Sequence, residues 1–322
     1  MAVRAVITGG AGFIGSNLVD RMLGLGAEVL VIDNLATGHM RNLHLAEGNP
    51  NFSFEQADIT DAHTSSLIAN FRPDVVFHLA AQADVRVSVA NPVFDATVNV
   101  IGTLNVLRGA VDGGATRFVA AASGGTLYGE VDPSNLPIAE TEPWNPLAPY
   151  GISKKVMIDY LRSTQSLYGL QTTSLALGNV FGPRQDPHGE AGVIAIFFQH
   201  YLAGTTPTVF GSGDQTRDFI YVDDVTAAFA AASGVSGTGA LINIGTGIET
   251  SVNDLVRSMN ELTDKPVEPT RAAARPGELD RSVLDISLAA RTLQWKPEVG
   301  IHDGLVRTWE WFTGPNGASA RS

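Results

Sequence analysis

Cysteine is absent from the 322 residues. That excludes disulfides, thiolate zinc sites and thiol nucleophiles, and it suits a reducing compartment. Positive charge is scarce: 21 Lys and Arg stand against 33 Asp and Glu, a formal net charge of −12. So few cations argue against a surface for nucleic acid or an anionic membrane, and any phosphate has to be met locally. No apolar run approaches the roughly 18 residues of a membrane span. A strand pattern begins after two residues, leaving no room for a signal peptide, so a cytoplasmic location is expected. Internal repeats and low-complexity linkers are missing as well. With 44% hydrophobic and 17% charged residues, the chain has the composition of a globular protein and the length for one large α/β domain or two smaller ones.

Glycine, with 34 residues, is plentiful, and its placement near the N-terminus organises the rest. Val3 to Ser16 reads VRAVITGGAGFIGS. Val3, Ala5, Val6 and Ile7 form an apolar run suited to a strand buried on both faces, and Gly9-Gly10 ends it. Phe13, Ile14, Leu18, Met22 and Leu23 then recur at helical spacing. Strand, glycine turn and helix N-terminus make an anion site: Gly9 for the turn, Gly12 so that a pyrophosphate can approach the backbone, Gly15 for close helix–strand packing. A second buried strand, Glu28 to Ile32, ends at Asp33, roughly 20 residues beyond the glycines, where an acid accepts hydrogen bonds from adenosine ribose hydroxyls. An acid there repels a 2′-phosphate, which favours NAD over NADP.

Further strands are expected at Phe52–Gln56, Asp74–Leu79, Arg117–Ala122, Gln171–Leu177, Thr208–Gly211, Asp218–Val222 and Leu241–Ile244. Helices are expected at Val98–Val111, from Pro149, and at Gly192–Leu202, Asp223–Ala232, Val252–Leu262 and Ile301–Phe312. Strands and helices alternate through the first half, which predicts a doubly wound parallel sheet with helices on both faces. Strand ends then line the cofactor crevice. Asp58 is placed to reach the adenine amino group with Ile59 over the ring, or simply to cap a helix, and Ala80-Ala81-Gln82 offers small side chains beside a nicotinamide ribose. The segment Ser123 to Gly129 closes its strand as a loop. Tyr150 and Lys154 stand four apart on one helix face. His78 and His188 have no second metal ligand at useful spacing and read as core or loop histidines.

The motifs TGGAGFIG, Asp33-Asn34, HLAAQ, Asn99, SGGTLYGE, YGISK, GNVFGPRQDP and TRDFIYVDD together resemble the extended short-chain dehydrogenase/reductase family, in its nucleotide-sugar branch around UDP-glucose 4-epimerase. The resemblance covers roughly residues 3 to 312. It implies an α/β architecture, a doubly wound parallel Rossmann sheet with a smaller C-terminal α/β lobe. Residues 1–178 would bind NAD, and residues 179–322 would mainly bind the nucleotide sugar, some of them returning to the Rossmann sheet. The implied NAD site comprises Gly9, Gly12, Phe13, Ile14, Gly15, Asp33, Asn34, Asp58, Ile59, Leu79, Ala80, Ala81, Gln82, Asn99 and Leu177, with Tyr150 and Lys154. Tyr150 would take the proton of the sugar 4-hydroxyl, and Lys154 would bind the nicotinamide ribose, its charge favouring the ionised phenol.

Family members commonly carry Ser or Thr where this chain has Gly124. Ser123 and Thr126 flank the gap, and Thr126 is the preferred substitute. Dehydratases of the branch carry Asp-Glu in this segment and decarboxylases a Glu; Gly124-Gly125-Thr126 has no acid, which favours epimerisation. The resemblance further carries Asn179, Val193, Thr208, Phe210, Arg217, Arg275 and Glu278 to the UDP-sugar. Arg184 either meets a C6 carboxylate or holds its loop. The expectation is an NAD-dependent UDP-hexose 4-epimerase on UDP-glucose and UDP-galactose. UDP-glucuronate or a UDP-N-acetylhexosamine are alternative substrates; a dehydratase or a silent NAD-binding protein are the other readings. A homodimer pairing Val98–Val111 and Tyr150–Leu167 with their copies is implied too.

Overall fold

The computed structural model describes residues 2–188, 192–235, 239–263, 266–274 and 279–315. Its central sheet has seven strands: β1 (Arg4–Thr8), β2 (Glu28–Asp33), β3 (Phe52–Gln56), β4 (Val75–His78), β5 (Arg117–Ser123), β6 (Gln171–Leu177) and β7 (Leu241–Ile244). They lie in the order β7-β6-β5-β4-β1-β2-β3, each neighbouring pair parallel. The inner strands β1, β2 and β4 are largely apolar runs because helices cover both faces, whereas the edge strand β3, FSFEQ, has no buried residue. On one face Ile7, Val31, Phe77 and Leu175 pack with Leu18, Val19 and Phe229. On the other, Val6, Ile32, Val76 and Phe118 pack with Ile68, Val106, Leu107 and Ile158. β7 comes from the second half of the chain, so part of the 179–322 segment completes the first lobe's sheet.

A third core, with Phe181, Phe197, Phe198, Tyr221, Leu255 and Phe312, builds the second lobe. Two-stranded sheets frame it: Asn179–Phe181 with Phe219–Tyr221, Thr208–Phe210 with Thr270–Ala272, and Thr216–Arg217 with Thr250–Ser251. No helix among the described residues is long and apolar enough to cross a membrane.

Several elements differ from the expectation. The helix expected at Val98–Val111 is the end of a run that starts at Pro92, through Pro92–Ala96, a π-helical turn at Thr97–Ile101, and Gly102–Asp112. The segment after Ser123 is no loop but one helical turn, Gly124–Leu127. Two helices have no clear sequence signal. His63–Phe71 buries only Thr64 and Ile68; it is held by docking on Gly102–Asp112, where a Cβ at Gly109 would lie 2.7 Å from Ser65 O. Val85–Ala90 alternates apolar and polar residues as a strand does, and the Asp84 cap on the Arg86 and Val87 N–H groups makes it a helix.

Candidate active site

The sheet order reverses beside β1, between β1 and β4, so the segments leaving these strands diverge and open a crevice at their C-terminal ends. The glycine turn forms one wall. Gly9 has φ +71°, and a Cβ there would lie 2.6 Å from Ala80 N, so the turns after β1 and β4 touch. Gly15 packs helix Phe13–Gly24 directly on the turn: its Cβ would lie 2.1 Å from Gly9 O. A Cβ at Gly12 would meet only Gly9 O, at 3.2 Å, and otherwise point into open space at the helix N-terminus. That is a cradle of free N–H groups which any side chain would fill. Phe13 and Ile14, half-buried, are the first residues of the helix.

Asp33 is 7% exposed at the end of β2. It accepts from Ala11 N at 2.9 Å and Leu35 N at 2.8 Å, and so ties the glycine turn to the turn after β2. Burial pushes its carboxyl up, while the Leu35 and Ala11 N–H groups pull the other way. Asn34 donates to Asp58 Oδ2, and Thr60 N and Oγ1 donate to Asp58 Oδ1. Burial pushes Asp58 up, but those hydrogen bonds outweigh it and hold the carboxyl below its usual range. Asp58 therefore braces the loops that flank the crevice. Ile59 is largely covered by the helical run, where a Cβ at Gly102 would lie 2.6 Å from Ile59 Cδ1.

Leu79, Ala80, Ala81 and Gln82 leave β4 half-buried. Asn99, buried in the π-helical turn, accepts from Gln82 N at 3.0 Å and donates to Gln82 O at 2.8 Å. It shapes this strand-end turn from behind. At the end of β5 Ser123 pairs in register with Leu177. Gly124 follows, and a Cβ there would lie 2.9 Å from Leu284 Cδ1 and 3.1 Å from Leu177 O. A side chain here would press on the Leu284 methyls and the Leu177 carbonyl.

Tyr150 lies in the first turn of the helix Pro149–Tyr168, where Pro149 stands at N1. Gly151 seats that turn on the preceding one: its Cβ would lie 2.6 Å from Thr126 O. The turn of Thr126 and the first turn of the Tyr150 helix thus pack on one another, and the buried Thr126 Oγ1 has no hydrogen-bond partner in the protein. A buried hydroxyl in that state is unusual and fits a ligand oxygen. Lys154, 3% exposed, donates to Ala121 O at 3.0 Å, with Nζ 5.7 Å from the centroid of the Tyr150 ring.

The family model described as GDP-mannose 4,6 dehydratase matches residues 6–308. The chain belongs to this family of NAD-dependent epimerases and dehydratases, the extended short-chain dehydrogenase/reductases. Among curated members, a UDP-glucose 4-epimerase from Mycolicibacterium smegmatis is 46% identical over 310 residues, 96% of this chain and 98% of its own. The UDP-glucose 4-epimerase of Thermotoga maritima, solved with UDP-glucose, superposes with a TM-score of 0.92 at 41% identity, covering 96% of this chain and 98% of that one. That of Thermus thermophilus, solved with NAD, gives a TM-score of 0.88 at 40% identity, covering 97% and 100%. The family is NAD-dependent, and the glycine cradle, the Asp33 carboxylate and the unpartnered Thr126 hydroxyl fit that cofactor and its substrate.

The residues that family resemblance assigns to the substrate all come from the chain after residue 178. Asn179 N donates to Asp218 O at 2.7 Å, and Asn179 Oδ1 is 4.0 Å from where a Gly125 Cβ would be. Val193 opens the helix Val193–Ala203. Thr208 Oγ1 meets Thr270 Oγ1 at 2.9 Å, and Phe210 O accepts from Gln215 Nε2. Arg217 Nη1 donates to Thr216 O at 2.7 Å and Leu279 O at 2.8 Å. Arg275 and Glu278 lie outside the described residues. Arg184, its side chain 7% exposed, pairs through Nη2 with Asp20 Oδ2 at 2.5 Å and so ties its loop to the helix Phe13–Gly24, while its buried Nη1 has no hydrogen-bond partner in the protein. Pro183 O accepts from Asn17 of the same helix.

The sequence gives no hint of a buried polar chain beneath this crevice. Thr103 Oγ1 donates to Asn99 O at 2.7 Å, so it must accept from His78 Nε2, at 2.9 Å; His78 Nδ1 then accepts from Thr8 Oγ1, at 2.8 Å. The ring is a neutral core histidine, and burial, then the Lys154 charge, push its pKa down to about 3. In the unfolded chain the same group titrates near 6.5. The stability tied to neutral His78 is therefore complete above about pH 6.5 and is lost as pH falls toward 3, by up to about 1.4 kcal/mol per unit. Urea unfolding at pH 7 and pH 5 is expected to show that slope, and His78→Gln to flatten it. An equal slope in the variant assigns it to other groups.

Proposed function

We propose that this chain interconverts UDP-glucose and UDP-galactose by NAD-dependent 4-epimerisation through a transient 4-ketose. The observation that carries the reading is the turn Gly124–Leu127 beside Tyr150, which presents a buried unpartnered hydroxyl, Thr126 Oγ1, and no carboxylate. Dehydration across C5 and C6 needs an acid in that turn, and none is there. The 46% identity to a UDP-glucose 4-epimerase along nearly the whole chain supports the same reaction.

In this reading Tyr150 takes the proton of the 4-hydroxyl and returns it after the sugar has turned over, while Thr126 Oγ1 holds the 4-oxygen. Lys154, tethered to Ala121 O, binds the nicotinamide ribose hydroxyls. Bound NAD supplies the acceptor and the returning donor of the C4 hydride. Gly12, Gly15 and the helix N-terminus hold its pyrophosphate, and Asp33 its adenosine ribose. Asn179, Val193, Thr208, Phe210 and Arg217, with Arg275 and Glu278, hold the UDP-sugar. Gly125 leaves the sugar side open, since its Cβ would have only Asn179 Oδ1 near it, which gives the ketose room to rotate about the diphosphate.

Incubation with UDP-galactose, UDP-glucuronate and UDP-N-acetylglucosamine separately, without added cofactor, followed by proton NMR, tests the reading. UDP-glucose is expected from the first. No conversion of any, even with NAD added, overturns it.

We also propose a homodimer. Val93 (75% exposed), Ile101 (49%), Ile152 (49%) and Leu167 (72%) leave an apolar surface on the helical run from Pro92 and on Pro149–Tyr168. These two elements can pair with their copies as a four-helix bundle. Sedimentation at micromolar concentration is expected to show a dimer that Val93→Asp dissociates; a wild-type monomer sinks the idea.

A further inference from the structure

Asp95 is fully buried, 0% exposed, and no step of the reaction uses it. It sits in the helical segment Pro92–Ala96 and faces three donors. Oδ1 accepts from Gln82 Nε2 and from Asn99 Nδ2, each at 3.0 Å. Oδ2 accepts from Ser153 Oγ at 2.6 Å. These donors come from different elements that flank Asp95 on two sides. Gln82 belongs to the strand-end turn after β4, and Ser153 to the helix of Tyr150 and Lys154. Asn99 reinforces the first side, its amide being hydrogen-bonded to Gln82 N and Gln82 O.

We propose that Asp95 is a positioning residue for the epimerase reaction, fixing through Ser153 the helix that carries Tyr150 and Lys154 relative to the Gln82 turn. The proposal rests on the epimerase reading. Ser153 precedes Lys154 and lies one residue short of a full turn from Tyr150, so any shift at Ser153 displaces both. A carboxylate suits the task because one side chain accepts several charge-assisted hydrogen bonds from different elements. Apolar packing of the same volume would be no less stable, yet it would not set the register. Proton and hydride movement at one carbon are sensitive to such offsets, since a misplacement of about 1 Å costs up to about 10²-fold in rate.

The test uses full-length Ser153→Ala, Asp95→Asn and the double variant. The readouts are kcat, KM for UDP-galactose, co-purifying NAD, thermal stability and the kinetic isotope effect of UDP-galactose deuterated at C4. Each single variant is expected to lose about tenfold in kcat with KM and NAD content within about twofold, and to show a larger isotope effect as the hydride step becomes limiting. The double variant is expected to be no worse than the poorer single one, because both cut one link. Three results overturn the proposal: Ser153→Ala with unchanged kcat, losses in stability or NAD content with an unchanged isotope effect, or losses that multiply in the double variant. Should Asp95→Asn fail to fold, Ser153→Ala decides by the same readouts. A wild-type protein that converts no UDP-sugar overturns the epimerase reading instead, whereas an active wild type with an unaffected Ser153→Ala overturns the positioning role alone.

Discussion

Tyr150→Phe is expected to lower turnover by about 10³-fold while leaving bound NAD in place, because in the proposed mechanism it removes the group that exchanges a proton with the 4-oxygen. The ring stays in the first turn of Pro149–Tyr168, whose backbone Gly151 seats on the Thr126 turn, so the fold is expected to hold. The measurement is kcat for UDP-galactose together with NAD released on denaturation. Thr126→Val, which removes only the unpartnered hydroxyl, should cost less, about 10-fold to 100-fold, since Tyr150 still moves the proton. A Tyr150→Phe variant within tenfold of wild type rules out the assigned base. Loss of NAD together with turnover assigns Tyr150 to cofactor binding rather than to proton transfer.

Gly15→Ala is expected to abolish measurable NAD binding and to lower stability. A Cβ at this position would lie 2.1 Å from Gly9 O, 2.8 Å from Gly9 C and 2.8 Å from Gly10 Cα, all of them backbone atoms. No rotamer relieves such an overlap, so helix and turn must separate. Overpacking of this kind costs about 1–3 kcal/mol or more. The separation also spoils the cradle at Gly12, whose N–H groups must converge on a pyrophosphate. Gly24→Ala in the same helix is the control. Nothing lies within 4 Å of its Cβ, so it should retain NAD and gain up to about 1 kcal/mol of stability. Calorimetric NAD titration and thermal denaturation of the two variants check the contrast. A Gly15→Ala protein that binds NAD within tenfold of wild type would show that the turn does not need that contact.

Legibility from sequence followed the range of the forces involved. β3, β6 and β7 occupy the segments expected: β7, LINI, is marked by its own buried apolar run, whereas β3, FSFEQ, is a partly exposed edge strand marked by its two phenylalanines. His63–Phe71 escaped notice because its burial rests on two side chains and on the Gly109 contact with a helix about forty residues later. Val85–Ala90 escaped because β-branched alternation imitates a strand, and only the Asp84 cap settles the matter. The helical turn at Gly124–Leu127 was hidden by its glycines, which elsewhere signal a loop.

By itself the sequence determined the doubly wound parallel sheet, the glycine turn with Asp33 and the Tyr150–Lys154 pair. Each is signalled by short local patterns, an apolar strand run, a glycine turn, an acid at a strand end and a pair one helical turn apart, where steric preference and hydrophobic periodicity act directly. Only the tertiary structure decided that Thr126 keeps an unpartnered buried hydroxyl and that Leu284 packs beside Gly124. It also decided that Arg184 pairs with Asp20 across 164 residues, and that Asp95 reaches Ser153 across 58. Such hydrogen bonds depend on where separately folded elements come to rest, and that position is set by the packing of three cores rather than by any local pattern.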